Sequence, residues 1–361
     1  MKTFHLYRDK EACLAVAAAI TKISTKPVML MEVCGGHTVA LQRYGIPSLL
    51  PPTIQLVSGP GCPVCVTHIR FIDYAIALSQ LDKVTIATFG DLIRVPGSRS
   101  TLEQAKAQGR KVEIVYSPLD ALDLARQYPE EQIVFLGIGF ETTAPTSAAV
   151  LLEAQENNIQ NFSVLSSHKI MPPAMAALIT QGIPIDGYLC PGHVSVVTGS
   201  GIYEELAKKF GKACVISGFE PLDILQSIYM LVKQIENHAP AVEIEYTRAV
   251  KPEGNPRARE LLQQVFEPCD AWWRGLGNIP GSGLRIRAAF SRFDAEKKFP
   301  LEIPEPKEPA GCRCGDILKG MAQPAQCPLY KRVCTPQNPV GACMVSSEGT
   351  CAAFFQYGHD R

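Results

Sequence analysis

The sequence predicts an α/β protein with two doubly wound parallel-sheet domains that face a cleft, followed by a smaller cysteine-rich C-terminal domain. Short apolar strands alternate with helical segments over most of the chain, which is typical of parallel sheets covered on both faces. The length of 361 residues is more than a single core usually serves. Six cysteines cluster near the C-terminus, after a stretch rich in proline and glutamate.

The elements follow in a regular order. An amphipathic helix around residues 12–20 comes first, and each later strand runs into a loop that contains glycine or proline. Thr101 with Gln104 forms a predicted capping box, and Pro118 suits the first position of the next helix. The predicted strands span residues 27–33, 53–57, 83–89, 112–116, 133–138, 162–165, 187–189 and 213–216.

The regular alternation of predicted strands and helices ends near residue 250. A helix is predicted over residues 257–266, a loop over 272–278, and an extended, exposed connector over the Pro/Glu-rich segment 300–309. We therefore expect a first α/β domain over residues 1–145, a second over 146–245 and the cysteine-rich domain over 246–361.

The composition excludes several classes of protein. The formal net charge is zero and no basic stripe is present, so a nucleic-acid partner is not expected. No apolar run approaches the roughly 20 residues that span a bilayer, and no export signal is recognisable, so we expect a cytoplasmic protein without a membrane partner. In that compartment, thirteen cysteines indicate metal binding or redox chemistry rather than a disulfide framework.

The first chemical motif is the pair Cys62 and Cys65, with two residues between them. It comes directly after the Gly-Pro-Gly turn that ends a buried strand. Helical spacing follows the pair, and a helix N-terminus lowers the pKa of a nearby thiol. This placement favours thiol redox chemistry. A pair of buried structural cysteines or one half of a zinc site is the alternative, and both remain open for an isolated Cys-x-x-Cys.

Other polar residues also follow predicted strands, and ligands bind at the carboxyl ends of the strands in open parallel sheets. We therefore expect these residues to converge on one crevice. His37 and His193 also suit a purely structural role, and Glu141 also suits the cap of the next helix. The converging set is Cys34, His37, Cys62, Cys65, Asp91, Glu141 and His193.

The C-terminal cysteines form the second motif. Their density in a cytoplasmic chain indicates a metal site, but paired knuckles are missing and histidine is scarce. Four thiolates from spaced loops suit a [4Fe–4S] cluster as well as zinc, and residue chemistry alone leaves both open. The six residues are Cys312, Cys314, Cys327, Cys334, Cys343 and Cys351.

Several blocks resemble the signatures of the HypD family of hydrogenase maturation factors, which help to build the Fe(CN)2CO moiety of [NiFe]-hydrogenases. Their joint occurrence over nearly the whole chain is specific. The blocks are Glu-Val-Cys-Gly-Gly-His-Thr at 32–38, Gly-Pro-Gly-Cys-Pro-Val-Cys at 59–65, Gly-Phe-Glu-Thr-Thr-Ala-Pro at 139–145, Pro-Gly-His-Val-Ser at 191–195 and Ala-Cys-Met-Val-Ser-Ser-Glu-Gly at 342–349.

The resemblance implies that the C-terminal domain is an iron–sulfur domain. It also implies that Cys34 holds the iron under assembly, and that Cys62 and Cys65 act as a redox couple that also contacts the metal. The chemistry of the other polar residues fits this picture, because His37, Asp91, Glu141 and His193 would then supply protons, hold the metal ligands in position or contact cyanide nitrogens. The family's pattern of cluster ligands maps onto Cys314, Cys327, Cys334 and Cys351. Cys312 and Cys343 are then spares that are not cluster ligands.

The same resemblance implies two protein partners. A small HypC-type chaperone would supply a second cysteine to the iron, and a HypE-type protein would deliver cyanide. We therefore expect a scaffold with redox capability. The alternative is an enzyme, an iron–sulfur-dependent thiol–disulfide reductase that uses Cys62 and Cys65, so whether the protein is itself an enzyme stays open at this point.

Overall fold

The structure, a computed structural model, describes residues 6–358. Strands and helices alternate from the first helix to the end of the ninth strand. The strands are β1 Val28–Glu32, β2 Ile54–Ser58, β3 Val84–Thr88, β4 Val112–Ile114, β5 Gln132–Gly139, β6 Phe162–His168, β7 Gly187–Pro191, β8 Ala213–Ser217, β9 Val242–Ile244, β10 Phe266–Trp273 and β11 Gly277–Ile286.

The helices include the predicted first helix and both helices with predicted start signals. The Thr101 capping box is present, and Pro118 occupies the first turn of its helix. The helices are α1 Lys10–Ile23, α2 Gly35–Arg43, α3 Pro63–Val66, α4 Ile69–Ser79, α5 Leu102–Ala107, α6 Pro118–Gln127, α7 Ala144–Glu156, α8 Met171–Thr180, α9 Gly192–Thr198, α10 Glu204–Lys208, α11 Pro221–Glu236, α12 Pro256–Val265, α13 Ala295–Lys298, α14 Cys314–Leu318, α15 Ala342–Val345 and α16 Thr350–Tyr357.

Two separate parallel sheets confirm the predicted fold class. One has five strands in the order β2-β1-β7-β8-β9, and the other has four in the order β4-β3-β5-β6. Strands β3 and β8 are buried along their whole length, and apart from Thr85, Thr88 and Ser217 their residues are apolar. Each fully buried Val, Leu or Ile side chain contributes about 1.5–3 kcal/mol, so these strands anchor the two cores.

Membership of the sheets does not follow the order of the chain. The five-stranded sheet takes β1 and β2 from the start of the chain and β7 to β9 from beyond residue 186, while β3 to β6 form the other sheet. The predicted boundary after residue 145 falls between β5 and β6, which are paired neighbours. The division into three domains as folding units stays a prediction, and residues 1–5 and 359–361 of it lie outside the described part of the chain.

The segment after residue 250 contains one correction. The loop predicted over residues 272–278 is wrong at its ends, because β10 and β11 form an antiparallel hairpin and only the turn between Trp273 and Gly277 is loop. Several glycines and prolines in these strands obscure the alternation that marks a hairpin. The connector at 300–309 contains no helix or strand and is mostly exposed, as predicted.

The cysteine-rich region packs against the five-stranded sheet and the loops at its carboxyl edge. A Cβ atom at Gly320 would lie 2.9 Å from the Met31 side chain and 3.1 Å from that of Val57. The backbone at Gly315 lies against Gly275, at the tip of the hairpin. The cysteine-rich region therefore covers the carboxyl ends of β1 and β2, which carry Cys34 and the pair Cys62 and Cys65. No helix in the described part of the chain combines the length and apolarity that crossing a membrane requires.

We expect Gly61→Ala to destabilise the protein by about 1–3 kcal/mol or more. A Cβ atom at Gly61 would overlap the backbone nitrogen of Cys34 and the carbonyl carbon of Val33, which are rigid main-chain atoms. Urea unfolding monitored by circular dichroism measures the change. Gly201→Ala is the matched control, because a Cβ atom there meets nothing within 4 Å and should change stability by less than about 0.5 kcal/mol. Equal stability of the two variants would show that the two loops are not in close contact.

Candidate metal and redox site

Cys34 lies where β1 passes into α2. It is the N-cap of that helix, with φ −146° and ψ 125°, and its side chain makes no capping hydrogen bond. The helix begins directly at Gly35, so the paired glycines form its first turn rather than a loop. The Gly35 N–H donates to the Gly61 carbonyl at 3.3 Å. Cys34 is half-buried as a residue, and this hydrogen bond holds its backbone beside the Cys62 loop.

Gly36 keeps space beside the sulfur. A Cβ atom at this position would lie 3.7 Å from the Cys34 Sγ and 3.1 Å from the ring of Phe219. Any larger residue would therefore narrow the gap between the thiol and the aromatic ring. This observation supports the expectation that the paired glycines let a ligand approach the backbone closely.

Two carboxyl groups flank Cys34, and the sequence analysis did not single them out as site residues. Glu32 is buried; it accepts the Cys34 N–H at 3.0 Å and a hydrogen bond from the Thr38 hydroxyl. Burial raises the pKa of Glu32 to about 7. Glu348 lies against Gly35, and a Cβ atom built on that glycine would be 3.0 Å from its Oε2.

Burial, and then repulsion by Glu348, raise the pKa of the Cys34 thiol to about 12, against the opposing effect of the Gly36 and His37 backbone N–H groups. The pKa of Glu348 is itself raised by burial and by Asp91, which lies exposed on the 3-10 segment Gly90–Arg94. The site therefore disfavours added negative charge. A cation that replaces the thiol proton would relieve this repulsion.

His37 and His193 are joined through Phe219. The His37 ring stacks on Phe219 with 4.6 Å between centroids, and the exposed His193 stacks on the same ring at 4.0 Å. His37 Nε2 lies 3.0 Å from the Gly218 carbonyl, while its buried Nδ1 has no partner among the described residues. Burial lowers the pKa of His37 to about 4, so its ring is neutral near pH 7 and adds no positive charge beside Cys34.

Cys62 and Cys65 form a disulfide at the predicted strand-to-helix junction. Cys62 is the N-cap of α3, and Pro63 occupies the first helical position. This helix ends after Val66, and the segment with helical spacing forms the separate helix α4. The Cys65 Sγ lies 4.0 Å from the Ala342 carbonyl of α15. The pair is therefore adjacent to Cys34 on one side and to the cysteine-rich region on the other.

The C-terminal cysteines lie together around Cys314. The Cys312 Sγ lies 3.3 Å from the Cys314 Sγ, and the thiols of Cys343 and Cys351 also hydrogen-bond to Cys314. These hydrogen bonds, led by that from Cys312, hold the pKa of Cys314 well below its usual range. The chain has thus brought four soft donors into contact, including both residues predicted to be spares.

The remaining two C-terminal cysteines lie at the margin of this group. The Cys327 thiol points to the Gly311 carbonyl at 3.8 Å, and the Cys334 Sγ accepts the Val340 N–H at 3.3 Å. Within residues 6–358, no group of three or more His, Cys, Asp or Glu side chains has the geometry of a formed metal site. The fit to a metal therefore rests on the type and proximity of the donors.

Glu141 takes a different place from the other candidates. Its Oε1 accepts the N–H of Met171 at 3.0 Å, so it caps the N-terminus of α8 instead of the helix that follows it in sequence. Its Oε2 is buried without a partner in the described part of the chain, and burial raises its pKa to about 7. These contacts indicate a structural role for the carboxyl group.

Sequence reasoning missed Glu32, Phe219 and Glu348 as site residues. Glu32 and Glu348 both lie inside blocks that carry the family resemblance, and a carboxylate two residues before a candidate metal-binding cysteine was an available signal. Phe219 follows β8 in the same way that His193 follows β7. Its stacking role depends on the neighbouring register of β7 and β8, which the sequence does not specify.

We expect Glu141→Gln to gain stability relative to the unmodified protein as the pH rises. Because burial raises the pKa of Glu141 from the ordinary value near 4.5 to about 7, the carboxyl group stays protonated in the native state over this pH range. Native stability is therefore lost as pH rises through this window, whereas glutamine mimics the protonated group. The difference should grow between about pH 5 and about pH 8, by at most about 3 kcal/mol. Urea midpoints at the two pH values measure it.

Glu103→Gln, on an exposed position of α5, is the control for this titration. Its stability difference from the unmodified protein should stay within about 0.5 kcal/mol at both pH values. An equally flat difference for Glu141→Gln would show that Glu141 ionises as freely in the native state as in the unfolded state.

Comparison with known proteins gives the family. A family model described as HypD, hydrogenase formation hypA family, matches residues 11–358. The chain is similar to the hydrogenase maturation factor HypD2 of Bradyrhizobium diazoefficiens, with 44% identity over 100% of this chain and 98% of the relative. It is also similar to the hydrogenase maturation factor HypD of Cupriavidus necator, with 44% identity over 99% of this chain and 97% of the relative.

An archaeal protein shows the same similarity. A putative hydrogenase expression/formation protein of Methanocaldococcus jannaschii is 44% identical over 94% of this chain and 95% of its own length. The match covers the two parallel sheets, the thiol motifs and the cysteine-rich region together. The chain belongs to the HypD family of hydrogenase maturation factors.

Proposed function

We propose that this maturation factor is the scaffold on which the Fe(CN)2CO moiety of the [NiFe]-hydrogenase active site is assembled, with the iron as cargo bound through Cys34. The observation that carries this proposal is the placement of Cys34. A half-buried thiol stands at a rigid strand end, beside a glycine gap, with Glu32 and Glu348 next to it.

The chemistry of this thiol suits iron better than it suits nucleophilic catalysis. With a pKa of about 12, Cys34 is protonated at neutral pH, so it is a poor nucleophile but a ligand that exchanges its proton for a metal. Thiolate is the soft donor that low-spin iron with cyanide and carbonyl ligands prefers. Gly36 keeps a side chain from standing 3.7 Å from the Cys34 Sγ, and we assign the second cysteine ligand of the iron to a HypC-type chaperone.

The exposed imidazole of His193 supports a role toward the cyanide ligands. It lies on the far face of Phe219 from His37, so the stack runs from the first turn of α2 to solvent. A neutral imidazole donates one hydrogen bond, and a cyanide nitrogen bound to iron is an acceptor. We therefore propose that His193 faces the incoming cyanide from a HypE-type donor protein, while His37 holds the stack in place.

We propose a [4Fe–4S] cluster in the cysteine-rich region. The thiol group around Cys314 has the donor chemistry that such a cluster requires, and bound there it would supply single electrons. The ligands implied by the resemblance are Cys314, Cys327, Cys334 and Cys351. The 3.3 Å contact between the sulfurs of Cys312 and Cys314 makes these two the competitors for one ligand position.

The position of the disulfide supports electron exchange with this region, since Cys65 contacts Ala342 and the next residue, Cys343, lies beside Cys314. Reduction of the Cys62–Cys65 disulfide breaks one S–S bond and consumes two electrons and two protons to give two thiols. We propose that the cluster, reduced by an external one-electron donor, would deliver these electrons in two single steps. The dithiol would then return two electrons and two protons, and the S–S bond would re-form, while ligands are installed on the iron at Cys34.

A second candidate function is a thiol–disulfide reductase that acts on an external substrate, but Cys62 and Cys65 are 3% and 0% exposed, which disfavours access by such a substrate. Infrared spectra of the protein copurified with its small chaperone separate the two. Cyanide and carbonyl stretching bands support the scaffold. Their absence, together with turnover of an external disulfide, supports the reductase.

We expect Cys34→Ser to fold normally but to reduce the cyanide and carbonyl bands of the chaperone complex by about tenfold or more, because an alcohol is a much poorer ligand for soft iron. Infrared spectroscopy of the copurified complex measures the bands. Cys269→Ser is the matched control, since Cys269 is also half-buried and lies on β10. Full band intensity in Cys34→Ser would exclude Cys34 as the ligand and leave Cys62 or Cys65.

We expect anaerobically purified protein to contain about four irons per chain, and Cys327→Ala or Cys314→Ala to lose the visible absorption of the cluster. Cys343→Ala should keep it. The comparison of Cys314→Ala with Cys312→Ala decides which of these two neighbours is the ligand. Stoichiometric zinc without iron absorption would contradict the cluster, whatever the variants do.

A further inference from the structure

A pocket of about 280 Å³ lies away from the thiol site, where the start of α4, the end of β6 and the β10–β11 hairpin meet. Its wall includes His68, Arg70, Lys169 and Trp272. It shares no lining residue with the cysteines, carboxyl groups or stacked histidines of the site above. The proposed assembly chemistry leaves this pocket without a role.

Lys169 is the unusual residue in this wall. Its side chain is only 2% exposed. Its Nζ donates to the Trp272 carbonyl at 2.8 Å and lies 5.2 Å from the centre of the Trp273 ring. An ammonium group has three N–H donors, and this one forms no ion pair with a carboxylate anywhere in residues 6–358. A buried charge without a counter-ion is costly.

The neighbouring ionisable groups do not neutralise this charge. Burial lowers the pKa of Lys169 to about 8, so it is still mainly protonated at pH 7. The Cys269 thiol acts against this shift, and its own pKa is raised by burial. Burial lowers the pKa of His68, and the positive charges of Arg274, Lys169 and Arg70 lower it further. The inner end of the pocket is therefore electropositive.

Two of the three carboxylates at the pocket are engaged elsewhere. Asp270 accepts the Gly281 N–H at 3.0 Å, and Asp294 caps α13 and pairs with Lys297 at 3.6 Å. The third, Glu296, lies at the exposed rim of the pocket, and partial burial and then Asp294 raise the pKa of its carboxyl group, with Arg70 acting against this shift. None of the three, all within the described part of the chain, forms an ion pair with Lys169.

We propose that this pocket binds a small oxyanion, a carboxylate or a phosphate, through the Lys169 ammonium. The bound anion supplies the negative charge that no carboxylate in residues 6–358 supplies. Its oxygens accept hydrogen bonds from the N–H groups of Lys169 that do not bond to the protein. Arg70 stands at the start of α4, where a helix N-terminus also favours negative charge. The rings of His68 and Trp272, tilted by 42° with centroids 5.5 Å apart, form an aromatic part of the pocket wall.

The two tryptophans of the chain report on this pocket directly. The sequence contains only Trp272 and Trp273; the first lines the pocket and the second lies under the ammonium. The purified full-length protein is titrated with sodium phosphate and separately with sodium acetate, with ionic strength held constant by sodium chloride. We expect a saturable change in tryptophan emission with at least one of them.

Lys169→Met keeps the length of the side chain and removes the charge. We expect it to weaken the saturable binding by about tenfold to a hundredfold, as for the loss of a charge-assisted hydrogen bond. The exposed Lys251 gives the matched control, and Lys251→Met should bind as the unmodified protein does. Saturation by phosphate alone identifies a phosphoryl ligand, and saturation by acetate alone identifies a carboxylate.

Two results overturn the proposal: no saturable emission change with either anion, or unchanged affinity in Lys169→Met. If Lys169→Met does not fold by circular dichroism, the test moves to acetylation of lysines in the unmodified protein, read by peptide mass spectrometry. The saturating anion must then slow modification of Lys169 and leave Lys251 unaffected. Equal rates with and without the anion overturn the proposal by this route.

Discussion

The parallel pairing of β1 with β2 is the constraint on which the thiol site depends. The register sets Glu32 opposite Ser58, so both strands end at the same level and their loops leave the sheet side by side. The Gly59 N–H donates to the Glu32 carbonyl at 2.8 Å and continues the pairing beyond the last strand residue. Gly61 then touches the backbone of Cys34, where no side chain fits. The iron-binding candidate and the disulfide are neighbours because the main chains are in contact.

The cysteine-rich region depends on the same edge of the sheet. Gly320 rests on Met31 and Val57, Ala342 reaches Cys65, and Glu348 lies against Gly35. This region is therefore a wall of the site and not an appended metal module. Its contacts connect the thiol group around Cys314 to the disulfide, and the disulfide to Cys34, without any long gap.

Burial controls the charge of the site. It raises the pKa of Glu32 and of Cys34 and lowers that of His37, so Cys34 and His37 are neutral near pH 7 and Glu32 is about half protonated. Cys34 and Glu32 can therefore exchange a proton for a bound cation, and the unloaded site does not carry several buried charges at once. Lys169 is the contrast, because it is buried, mainly protonated and without a carboxylate partner. The two sites therefore differ in sign, one suited to a metal cation and the other to an anion.

The sequence alone determined the alternation of strands and helices, the parallel sheets, the strand-end position of Cys34 and Cys62, and the family, because periodicity, turn residues and short blocks are local properties. Sheet membership needed the tertiary structure, since β1 and β2 pair with β7 to β9 from a distant part of the chain. For the same reason only the structure assigned Glu141 to the cap of α8, set Glu348 beside Cys34, and brought Cys312 and Cys343 into contact with Cys314. Each of these depends on packing between segments far apart in sequence, and spacing along the chain does not encode that packing in a readable form.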